Sequence, residues 1–203
     1  GAAGSIAMEF VSKAAPDGYT YVVASDSVSL QPVLRKTVTW SVERDFVPVI
    51  MFGTQPIVVA TYAASPYKSI QDLVAAAKAK PGSIGYATSG QGSIQHLAGE
   101  LLGEMAGIDL LHIPYKGGGQ AISDLVGGQV PVAILGMAAV LPHVKSGRAR
   151  ILAVTTKTRS KAVPEVPTLD ESVAKGYDVR QWAGLMAPAK TPPEILSRFT
   201  DEA

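Results

Sequence analysis

The sequence predicts an α/β fold, a parallel or mixed sheet covered by helices on both faces. Strand and helix patterns alternate from Ile84 to Val154. The composition, 47% apolar and 17% charged over 203 residues, supplies core for one large domain or two small lobes. Ser/Gly-rich turns follow several of the strand patterns.

In chain order, Ala7, Phe10, Val11 and Ala14 fall at helical spacing, and Pro16-Asp17-Gly18 closes that segment as a turn. Tyr19–Ala24 reads as a buried strand ending at the polar Ser25-Asp26-Ser27. Phe46–Ile50 and Ile57–Ala60 read as two further strands. Ser69 to Lys78 is a helix capped by Ser69, with Asp72 at the third position and Ile70, Leu73, Val74 and Ala77 on its buried face. Strand Ile84–Ala87 leads to a helix from Ser93, and strand Leu110–Ile113 to a helix from Gly118 to Val126. Strand Val132–Leu135 leads to a short helix ending near Ser146, and Ile151–Val154 closes the block. Beyond Pro164 and Pro167, Thr168 with Glu171 forms a second capping box. Trp182–Ala187 is the last strand, and Pro192-Pro193 opens a final helix.

Composition excludes several classes of function. The net charge of +1 gives no attraction for nucleic acid or an anionic membrane surface. With no cysteine there are no disulfides, thiolate metal sites or cysteine nucleophiles. No apolar run reaches the length of a membrane span. His96, His112 and His143 are scattered without metal-ligand spacing, so no metal or cofactor is expected. His96 reads as a packing residue, and His112 and His143 as structural or surface residues.

The most informative segment is Thr88-Ser89-Gly90-Gln91-Gly92-Ser93, between a strand and a helix. A helix N-terminus leaves backbone N–H groups without intrahelical partners, and its dipole favours negative charge. Glycines allow close approach and positive φ, and the hydroxyls of Ser89 and Ser93 add donors. The turn is therefore suited to a small anion. The same spacing also fits an ordinary strand-to-helix connection with Ser93 or Ser89 as N-cap. It is neither a phosphate-binding Walker loop nor a dinucleotide fingerprint, since no Gly-Lys-Ser/Thr and no third glycine follow. Tyr115-Lys116-Gly117-Gly118-Gly119 is a second such turn, and would lie beside the first if the two strands were neighbours. Tyr115 then offers a ring and a hydroxyl, the glycines offer amides, and Lys116 faces solvent. Ser25-Asp26-Ser27-Val28-Ser29 fits a ligand loop or a turn with capping serines. Serine catalysis lacks a base and an orienting acid near Ser89 or Ser93, so no catalytic residue is assigned.

An ordered set of segments resembles the Bug/TctC family, periplasmic solute receptors of tripartite tricarboxylate transporters. It comprises A-A-P-D-G-Y-T (14–20), D-F-V-P-V (45–49), the run from Ser69 to Leu101, I-P-Y-K-G-G-G-Q-A-I-S-D-L-V-G-G-Q-V (113–130), L-A-V-T (152–155), V-P-E-V-P-T (163–168) and G-L-M-A-P-A-K-T-P (184–192). The resemblance implies a type II periplasmic-binding-protein fold, two lobes closing on a ligand. Residues 1–60 and 181–203 would form lobe one and 61–180 lobe two. It implies a ligand carboxylate held by amides and hydroxyls: Ser25, Ser27 and Ser29 from lobe one, and Thr88, Ser89, Gly92 and Ser93 from lobe two, with Tyr115 and Gly117 nearby. Transporter subunits are the implied partners and the periplasm the implied location.

Two departures from the family pattern carry expectations. Family members have a strand, a Pro/Gly-rich loop and a long helix ahead of the G-A-A-G-S-I-A segment, so lobe one reads as incomplete. Such a lobe would expose a sheet edge and apolar surface, and the chain is expected to be less stable than the full receptor or to self-associate. The stretch Q-V-P-V-A-I-L-G-M (129–137) lacks the acid that commonly follows Q-V. Its Gly136-Met137 end points to a ligand with an apolar body rather than an amine. The rival readings are an α/β enzyme for a phosphorylated or acidic small molecule, and the ligand-sensing lobe of a regulator.

Overall fold

The computed structural model describes residues 4–202, the side chains of 27, 201 and 202 excepted. It divides into two compact units. The first holds the residues up to Thr54 and those from Trp182 onward, and the second holds Gln55–Gln181.

The first unit contains α1 (Ser5–Ser12), β1 (Val22–Ser25), α2 (Ser27–Leu34), α3 (Val42–Asp45), the start of β2 (Phe46–Tyr62), most of β7 (Arg180–Pro188) and α9 (Pro193–Glu202). β1 pairs antiparallel with β7 from Val22↔Met186 to Ser25↔Ala183. Met8, Val11, Val22, Ala24, Val28, Trp40, Phe46 and Met186 form its core. Trp40 meets Phe46 edge-on at 6.0 Å, a favourable aromatic geometry. Of Ala7, Phe10, Val11 and Ala14, which the sequence places at helical spacing, the structure buries Val11 but leaves Phe10 71% exposed, so the buried ridge is Met8/Val11 and not Ala7/Phe10. One residue of rotation, about 100°, separates the two ridges, and only the partner strand decides between them.

Two further differences begin in this unit. Phe46–Ile50 and Ile57–Ala60 belong to one strand of 17 residues rather than two. Gly53 and Pro56 lie between the two predicted segments, yet the strand continues through them, with residues 51–54 exposed where the chain leaves one unit for the other. The polar stretch after Ser25 forms α2, which contains Pro32 within its last turn.

The second unit is built on a sheet in the order β6–β2–β5–β3–β4. These are β3 (Gly85–Thr88), β4 (Leu111–Pro114), β5 (Val132–Gly136) and β6 (Ala149–Val154), with the second half of β2. β3 runs parallel to β4 and β5, while β2 runs antiparallel to β5 and β6, so the sheet is mixed. Side chains alternate across it. Ile57, Val59, Tyr86, Val132 and Ile134 face α4 (Ile70–Ala79), α5 (Ile94–Ala106) and α8 (Leu169–Ser172). Val58, Ala60, Ala87, Ala133 and Leu135 face α6 (Gly118–Val126) and α7 (Met137–Lys145). Both faces are covered, which is why these strands read as unbroken apolar runs. The Ser69/Asp72 and Thr168/Glu171 capping boxes both form, although the second opens only a single turn.

Candidate functional site

Of the nine residues assigned to ligand binding, six lie in the second unit, where the structure brings them to one sheet edge. β3 and β4 are parallel neighbours with Thr88 opposite Pro114, so their following turns are adjacent. The Tyr115 N–H donates to the Thr88 carbonyl at 3.2 Å and ties the two turns together. A Cβ on Gly90 would stand 3.1 Å from the Tyr115 carbonyl oxygen, and Gly90 has φ +138°, so both space and backbone require glycine there. Gly92 has φ +72°.

The hydroxyls of the first turn are all engaged, within the turn or with the elements beside it. Ser93 is the N-cap of α5: its Oγ accepts the His96 N–H at 3.2 Å and donates to the Gly90 carbonyl at 2.7 Å. Thr88 Oγ1 accepts the Gly90 N–H at 3.2 Å and lies 2.7 Å from His112 Nε2. Ser89 donates to Gln95 Oε1 at 2.9 Å, and Gln95 Nε2 donates to Gln181 Oε1 at 3.1 Å. Thr88, Gly92 and Ser93 are buried and Ser89 is half-buried.

The second turn differs. Gly117 precedes α6 with no side-chain cap, and Cβ atoms added at Gly117 or Gly119 would meet nothing within 4 Å. No side chain caps this helix start, where the dipole favours negative charge, and the space beside Gly117 and Gly119 is open. The Tyr115 hydroxyl donates to Asp124 Oδ2 at 2.7 Å. Burial, reinforced by that carboxylate, pushes its pKa up to about 12. Lys116 is exposed.

Sequence reading overlooked part of this cluster. His112 bonds Thr88 and faces Gln91 Oε1 with Nδ1 at 3.2 Å, although it had the look of a structural or surface residue. Gln95, Gln181 and Gln55 join it without any sequence motif to mark them. Gln55 Oε1 accepts the Ala138 N–H at the start of α7, and a Cβ on Gly136 would stand 3.0 Å from Gln181 Oε1. Carboxamides, rather than apolar groups, therefore flank the Gly136 strand end. No local motif marks these glutamines; the only hint is their place beside strand ends.

Ser25, Ser27 and Ser29 lie in the first unit. Ser25 ends β1 opposite Ala183, Ser27 opens α2, and Ser29 is exposed on that helix. Between them Asp26 accepts the Trp182 N–H at 3.2 Å, and burial holds its carboxyl above the usual range. Among the described residues, no cluster of three or more His, Asp or Glu side chains could hold a metal.

Residues 1–203 match the family model described as the tripartite tricarboxylate transporter family receptor. The chain belongs to this family. Among TctC relatives, protein BugT of Bordetella pertussis is 38% identical over 208 residues, covering 100% of this chain and 64% of BugT. An R. palustris protein solved with adipate superposes with a TM-score of 0.94 at 33% identity, covering 98% of this chain and 67% of that one. MatC from Rhodopseudomonas palustris, solved with bound malate, gives 0.87 at 28% identity, covering 98% and 68%. The fold is thus the α/β type II periplasmic-binding-protein class that the sequence predicts. The chain spans about three-fifths of the length of the curated relatives it matches.

Proposed function

We propose that this TctC-family chain belongs to a periplasmic receptor that captures a small carboxylate for a tripartite transporter. The two units are read as its lobes, and ligand capture as a population shift toward a closed state that the transporter recognises. The observation that carries this reading is the pairing of the Ser89–Ser93 turn with the uncapped Gly117 helix start at one sheet edge. Backbone N–H groups at such a place complement a carboxylate without any cofactor or acid–base pair. Ser25, Ser27 and Ser29 are the proposed contribution of the first unit. The carboxylates held by two structural relatives support the ligand class.

The test is thermal unfolding against adipate, malate, monocarboxylates, amino acids and nucleotides. A ligand bound only by the folded form stabilises by about 2.7 kcal/mol at a hundredfold excess over Kd. Carboxylates are expected to raise the melting temperature and amino acids to leave it unchanged, since carboxamides offer no counter-charge to an amine beside Gly136. A response to nucleotides or sugar phosphates alone would replace the receptor with an enzyme or a sensor for phosphorylated compounds.

A further inference from the structure

Two histidine rings hold the Ser89–Ser93 turn from behind. The Gly92 N–H donates to His96 Nδ1 at 3.3 Å, which requires Nδ1 to carry a lone pair and no proton. The His96 ring stacks on His112 with centroids 4.0 Å apart and planes 26° from parallel. His112 in turn reaches Thr88 through Nε2 and Gln91 through Nδ1. Thr88, Gln91 and Gly92 therefore all rest on this pair. We propose that His96 and His112 are positioning residues that clamp the turn in its ligand-receiving shape while neutral, and that acid releases the clamp. Its consequence for ligand capture rests on the carboxylate-receptor reading; the clamp itself does not.

The charges around the pair oppose one another. Protonation of His96 sets an N–H against the Gly92 N–H and places a cation against a second imidazole. Glu100, 3.6 Å from His96 Nε2, favours the cation; it also accepts the Tyr86 hydroxyl at 2.6 Å. The Tyr86 ring lies 5.1 Å from that of His112, and Glu104 and Asp109 line the same hollow as Tyr86 and Glu100. Burial outweighs this acidic side: it lowers the His96 pKa against the pull of Glu100. Burial, aided by the neighbouring His96 charge, brings His112 down to about 4. A lowered basic pKa means the neutral clamp contributes fully above the ordinary histidine range near 6.5 and is lost as pH falls through the folded values.

The experiment follows the Gly92 amide and the two imidazoles by NMR from about pH 7.5 to about pH 4.5. The Gly92 resonance is expected to move with the His96 titration. His96→Asn keeps an acceptor near the Nδ1 position but does not titrate, and should flatten that response. A Gly92 amide indifferent to His96 protonation, or moving equally in H96N, would overturn the clamp. His112→Gln gives a second test should H96N fail to fold: it removes the stacked partner, and an unchanged His96 midpoint would count against coupling. Adipate affinity supplies a separate readout. Between about pH 7.5 and pH 5 it should weaken more in the wild type than in H96N, because only the wild type protonates a ring against the Gly92 N–H. Equal pH slopes would break the link to capture. Should adipate bind neither protein, the carboxylate reading fails while the Gly92 amide still decides the clamp.

Discussion

Ser93 shows how one side chain serves both structure and site. Its Oγ caps α5 and closes the turn on Gly90, so Ser93→Ala removes an N-cap and takes the acceptor from the His96 N–H. A loss of about 1 kcal/mol is expected in chemical denaturation, together with weaker carboxylate binding because the turn loosens. Ser89 differs, since its hydroxyl leads outward through Gln95 to Gln181. Ser89→Ala should therefore weaken ligand affinity while costing less stability than Ser93→Ala; calorimetric titration beside a denaturation curve separates the two. The Ser93 cap was legible because a cap bond spans three residues. The partnership of His112 with Thr88 was not, because the two are 24 positions apart and only the β3–β4 register unites them.

At the scale of elements, α5 docks on β3 through Gly99. A Cβ there would stand 2.3–2.8 Å from Tyr86 ring and hydroxyl atoms. Alanine in a helix interior gains about 1 kcal/mol over glycine from propensity. The ring is fully buried and held by Glu100, so it cannot yield cheaply and the clash wins. Gly99→Ala is expected to destabilise by about 1–3 kcal/mol, read as a lowered melting temperature. Elements with caps at both the sequence and backbone level, α4 and α5, were readable to within a residue or so. The continuity of β2 and the buried ridge of α1 were not. Gly53 and Pro56 carry the local marks of a break, and Met8 and Phe10 are equally apolar; the deciding interactions come from distant strands.

Over the whole molecule, apolar surface is unevenly spread. Phe10, Tyr19, Val23, Val33, Met51 and Phe52 are between 58% and 92% exposed, and all belong to the first unit. The second unit buries two large clusters on either side of its sheet. The first unit is therefore expected to lose amide protection first in hydrogen exchange. The 203-residue chain should also show a concentration-dependent rise in sedimentation coefficient, reduced by Phe52→Ser; a concentration-independent monomer would contradict this. The sequence by itself determined the α/β class, the order of most strands and helices, the two capping boxes and the adjacency-ready Ser/Gly turns. Those depend on period and on hydrogen bonds spanning a few residues. Only the tertiary structure decided that His96 and His112 stack behind the turn and that Gln55 and Gln181 flank Gly136. Such contacts join residues far apart in the chain, and their geometry exists only once the sheet has set its register.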